Sequence, residues 1–108
     1  MTKEFRPAST KEAQMQAAVE AIVGLGPLPA SAVAEVPTLE MFERLLQQVS
    51  RPVSDTEATV LCGLFGPDDC FGLAWSLLHL IETAPGWPME TALALVVSPW
   101  QVTLRQRL

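Results

Sequence analysis

The stretch GPDDCFGLAWSLLHLIETAPGWP, residues 66–88, decides the fold. Pro67 suits the first position of a helix, Asp68 and Asp69 complement the positive end of a helix dipole, and Pro85-Gly86 stop the chain near Ala84. The spacing predicts one helix over 67–84. At 100° per residue, Cys70, Phe71, Leu73, Ala74, Leu77, Leu78, Leu80 and Ile81 share a broad arc, which is the core face. The other side carries Asp68, Gly72, Ser76, His79 and Thr83 in a narrow stripe, with Asp69 on one flank and Trp75 and Glu82 on the other.

Outward from this stretch the chain reads as shorter helices. Towards the N-terminus, Ser54 with Glu57 makes a capping box that opens a helix over 55–65. Glu57 falls inside that helix's apolar arc, and its reach back to the cap amide accounts for a carboxylate there. Arg51-Pro52 closes an earlier helix, 39–50, capped by Thr38 and carrying Phe42, Leu45, Leu46 and Val49 on one stripe. Gly26, Pro27 and Pro29 make a connector, with at most a short helix before Val36-Pro37 ends it. A first helix, 10–24, follows a second capping box, Ser9 with Glu12, and residues 1–8 are expected to fray.

Towards the C-terminus, Pro88 opens a helix over 88–97, and Ser98-Pro99 repeats the cap-then-proline signal before 100–108. Val102 and Leu104 alternate with polar neighbours as in a strand, but no second strand is at hand to pair with them, so a helix is expected. The sum is an all-α fold: one domain, 1–108, a compact bundle of five or six short helices built around 67–84.

Hydrophobic residues make up 49% of the 108 and charged residues 18%, the latter below the roughly 25% of an average soluble domain. Apolar surface should therefore be left over for a partner. No apolar run approaches the roughly 20 residues of a membrane span, and the N-terminus lacks the apolar region of a signal peptide, so a cytoplasmic protein is expected. Cys62 and Cys70 both fall on apolar arcs and read as buried, reduced thiols.

Charge is unevenly placed. Residues 1–51 hold six acids and five bases; 52–104 hold Asp55, Glu57, Asp68, Asp69, Glu82 and Glu90 with no Lys or Arg; Arg105 and Arg107 follow, for a net charge of −5. An uncompensated acidic half argues against nucleic acid or anionic membrane as partner and is compatible with a basic protein.

His79 is the only histidine, with Ser76 and Glu82 one turn away on either side, a spacing that lets Glu82 orient the ring. Side chains along one helix project in parallel, however, and nothing in the chain supplies an oxyanion hole or a nucleophile elbow. No metal-ligand spacing, phosphate loop or cofactor motif occurs. Trp75 and Trp87 beside Asp68, Asp69, His79 and Glu82 fit an aromatic anchor ringed by acids, as a protein-binding hot spot requires. The expected function is a non-enzymatic, bacterial-type interaction module that binds a basic partner through this face, as an immunity protein or antitoxin would. The alternatives are a homodimer or structural subunit burying its surplus apolar surface, and a small hydrolase or small-molecule binder using Ser76, His79 and Glu82.

Overall fold

A computed structural model describes residues 15–108. Among these residues there are six α-helices and no strand: α1 (Ala17–Leu25), α2 (Val36–Gln48), α3 (Asp55–Cys62), α4 (Leu73–Ile81), α5 (Glu90–Leu93) and α6 (Trp100–Gln106), with a 3₁₀ turn at Ser31–Val33 between α1 and α2. The expected all-α bundle is what forms. The Ser9–Glu12 capping box and residues 10–14 of the first expected helix lie outside the described residues.

Backbone and cap hydrogen bonds fix the relative directions of the first four helices. Ser50 N–H, just past α2, donates to Gln16 Oε1 (2.7 Å), just before α1, so these two helices are antiparallel. Gln16 N–H donates to Glu57 Oε2 in the first turn of α3 (2.6 Å), and Leu28 N–H donates to Leu64 O beyond its end (2.9 Å), so α1 and α3 run the same way. Val53 N–H donates to Thr83 Oγ1 (3.0 Å), tying the chain after α2 to the end of α4. In the resulting square, α1 packs on α2 and α3, and α4 packs on those same two helices from the far side; α5 then packs on α3, and α6 on α5.

The core is the set of apolar arcs turned into this square. Val19, Ile22, Phe42, Leu46, Ala58, Leu61, Leu77, Leu78 and Ile81 are all buried, as their spacing requires. Each Leu- or Ile-sized side chain removed from water stabilises the fold by about 1.5–3 kcal/mol. Helix α3 touches three neighbours, so it shares with α4 the central place that the sequence assigned to α4 alone.

The expected helix 67–84 is shorter at both ends. It begins at Leu73, because Cys70, Phe71 and Gly72 take left-handed conformations (φ 49°, 56° and 91°) that cannot continue into a right-handed helix. Pro67, Asp68 and Asp69 therefore lie in a loop before the helix and do not form its first turn. At the other end, Glu82 to Gly86 form turns.

Other boundaries move for local reasons. Val36-Pro37 opens α2 where it was expected to end a short helix, since proline in the first turn forfeits no helical hydrogen bond; Glu35, and not Thr38, is the capping residue. The capping box at Ser54 and Glu57 is present in both halves, but α3 stops at Cys62. Met89 precedes α5, which is only four residues long, and Pro99, not Ser98, takes the cap position of α6.

Candidate interaction surface

Asp68 organises the loop that leads into α4. Its Oδ1 accepts the Cys70 N–H two residues on (2.9 Å), an Asx turn, and its two oxygens also accept the Ser31 N–H (3.0 and 3.2 Å) and hydroxyl (3.1 Å). Donation from the Ser31 and Cys70 amides holds the Asp68 carboxyl below its ordinary pKa, so it stays ionised. The Asp69 carbonyl accepts from both Gly72 N–H (3.0 Å) and Ala74 N–H (3.1 Å), which closes the left-handed turn. Cys70 is drawn into the core and Phe71 is turned out, 67% exposed. A left-handed residue other than glycine costs about 1–2 kcal/mol, and a bulky aromatic in that region is an outlier.

Trp75, one turn into α4, is 40% exposed, with its ring edge-on to Trp100 at 5.1 Å between centroids. Trp100 in turn stacks on Phe65 at 5.4 Å. The Trp100 indole N–H is buried and finds no acceptor among the described residues. Ser76 and His79 are exposed on the same side of α4.

Glu82 does not orient His79. Both its oxygens accept from Arg107, Nε to Oε2 at 2.6 Å and Nη2 to Oε1 at 2.8 Å, so the expected His79–Glu82 pair is replaced by a forked ion pair across to α6. Trp87 lies beyond the far end of α4, half-buried against the core. Of the six expected contact residues, Asp68 and Asp69 therefore sit at the start of α4, Trp75 and His79 along it, Glu82 in an ion pair past its end, and Trp87 apart from the rest.

The acids from 52 to 104 are less free than their sequence suggests. Besides Asp68 and Glu82, Asp55 Oδ1 accepts the Gly86 N–H (2.7 Å), Glu90 pairs with Arg105 (2.6 Å), and Glu57 is buried in its capping box. Asp69 is the one whose carboxylate makes no hydrogen bond to another described residue. Arg105 and Arg107 thus offset acids that lie far from them in sequence. Among the described residues, no group of three or more His, Cys, Asp or Glu side chains is placed to hold a metal ion. Nor is any helix long and apolar enough to cross a membrane.

A groove that the sequence reading missed runs between α2 and α4, with a volume of about 340 Å³. Buried Leu46, Leu73 and Leu80 floor it, and exposed Glu43, Arg51, Phe71 and Ser76 stand along its rim. The sequence signal for it was Phe71-Gly72, where Phe71 was assigned to the core arc. Comparison of the chain with protein-family models, with curated proteins and with solved structures returned no match.

Proposed function

We propose that the protein is a non-enzymatic protein–protein interaction module whose contact surface is the exposed side of α4, anchored by Phe71 and Trp75 and bordered by Asp68 and Asp69. The observation that carries the reading is Phe71. An aromatic side chain is left two-thirds exposed at a position whose backbone conformation costs stability, a combination that folding alone does not favour. Exposed aromatics beside fixed charge are the composition of binding hot spots. The partner is a basic protein, met as an immunity protein or antitoxin meets a basic enzyme, in a bacterial cytoplasm; two free, buried cysteines accord with a reducing compartment.

The test is affinity capture with quantitative identification of what is retained. Trp75→Ala and Asp69→Lys should each reduce capture of the same basic protein, whereas Gln48→Ala, a change on an exposed part of α2, should leave it unchanged. Equal capture by all variants would reject the reading. A homodimer is the second reading, supported by the exposed apolar side chains Leu95, Val97 and Val102 around α5 and α6. Light scattering on the purified chain separates the two, since a dimer has twice the monomer mass.

A further inference from the structure

We propose that the groove between α2 and α4 seats one amphipathic helix of a protein partner, running antiparallel to both, with an acid at its N-terminal end and a base about two turns later. The inference rests on the interaction reading above and names the chemistry of the partner's inserted element.

The groove has a built polarity. Val53, just beyond α2, is bonded to Thr83, just beyond α4, so these helices finish at the same end of the molecule. Arg51 therefore lies towards the Leu80 end of the groove, and Glu43, eight residues earlier, towards the Phe71 end. Glu43 to Gln48 are helical and account for about 7.5 Å along the groove at 1.5 Å per residue, and Arg51 lies three non-helical residues beyond them. Neither forms an ion pair with another described residue. Between them the floor is leucine.

An extended peptide would bring unpaired backbone N–H and C=O groups onto that leucine floor, where no sheet edge offers them partners. A helix arrives with its backbone satisfied and lays apolar residues at i+3 and i+4 into the channel between two packed helices. With its N-terminus at Arg51, its dipole opposes those of α2 and α4. An acid at i then meets Arg51, and a base at i+7 meets Glu43, each also at the helix end where its sign is favourable. Phe71 closes the Glu43 end as a rim aromatic.

The probe is a fluorescein-labelled, end-capped helical peptide with Glu at i, Leu at i+3 and i+4, and Lys at i+7. Two companions carry Lys at both charged positions or Glu at both. Anisotropy titrations should show saturable binding to the wild-type chain, with the Glu/Lys peptide preferred. Arg51→Glu makes both rim charges acidic and should invert the preference towards the Lys/Lys peptide by about fivefold, the scale of partly exposed charge pairs. Phe71→Gly should weaken all three peptides, with the fold checked by circular dichroism.

Absence of saturable binding, an unchanged preference in Arg51→Glu, or amide shifts that map away from Leu46, Leu73 and Leu80 would each overturn the proposal. So would a dimer in which a second copy fills the groove. Partner capture that depends on Trp75 but not on Arg51 would retain the interaction module and remove the groove from it. Peptide binding that obeys Arg51, with capture indifferent to Trp75 and Asp69, would do the reverse.

Discussion

A carboxylate that is 3% exposed, as Glu57 is, would destabilise a fold unless its oxygens were occupied. Burial works to raise its pKa, but donation from the Gln16 and Ser54 amides and side chains brings it below the ordinary 4.5. A folded pKa below the unfolded one means that this stabilisation is complete above about pH 4.5 and is lost as pH falls through the folded value. Glu57→Gln should therefore cost about 1–2 kcal/mol at neutral pH, measured by urea denaturation, with the gap from wild type closing in acid. A gap that persisted in strong acid, with the carboxyl protonated in both folded and unfolded chains, would show that the carboxylate's charge is not what the network uses. The cysteines give a second test at this scale. Burial pushes the Cys62 thiol up to about 12, and burial together with the nearby Asp68 and Asp69 charges raises Cys70. Both should resist a thiol reagent in the native chain and react on unfolding, because the thiolate is the reactive form.

Among the elements, the turn from Asp69 to Gly72 is where local preference and fold disagree. Phe71 is left-handed but mostly exposed, so Phe71→Gly loses little packing and relieves backbone strain; it should stabilise the chain by about 1 kcal/mol while emptying the groove's rim. Gly72→Ala, at φ 91°, should move stability the other way by a similar amount. Thermal melts of the two variants check both signs, and a destabilised Phe71→Gly would mean that the ring contributes to the core. Within α4, Leu77 is buried among the four packed helices, and Leu77→Ala should cost about 2–5 kcal/mol. An unchanged denaturation midpoint would contradict that packing. Gly66 has a different role: a Cβ there would collide with the Leu28 carbonyl, where the connector after α1 crosses the end of α3.

At the scale of the whole molecule, the C-terminal segment returns bases to the acidic stretch, and among the described residues Arg105 and Arg107 are the ones that pair with it. Trp75 meets Trp100 near the start of α6, and Glu82 meets Arg107 seven residues further along each segment, so α6 runs beside α4 in the same direction. Both ion pairs are partly exposed, with Arg105 and Arg107 side chains each 39% accessible. Arg107→Gln should consequently change stability by less than about 1 kcal/mol, and raising the salt should mask what difference remains. Its larger effect should be on charge: Glu82 would be left unpaired on the α4 side, and faster association with a basic protein at low salt would register it.

Helical periodicity, two proline-bounded turns and the Ser54–Glu57 box were sufficient in the sequence to determine an all-α chain, the buried thiols and the core residues other than Phe71. These are local properties, since the spacing of apolar residues along a helix states which face must leave water. Tertiary structure alone decided where α4 begins, because Asp68 spends its carboxylate on Ser31, 37 residues away, and on the amide of Cys70. That bond turns Phe71 outward, although its place in the periodic pattern assigned it to the core. Tertiary structure also decided which acids remain open to a partner. Sequence distance places Arg105 and Arg107 outside the acidic half, whereas packing of α6 beside α4 and α5 brings each guanidinium within hydrogen-bonding reach of one carboxylate. Charge acts through space, so its pairing is settled only once the helices are packed.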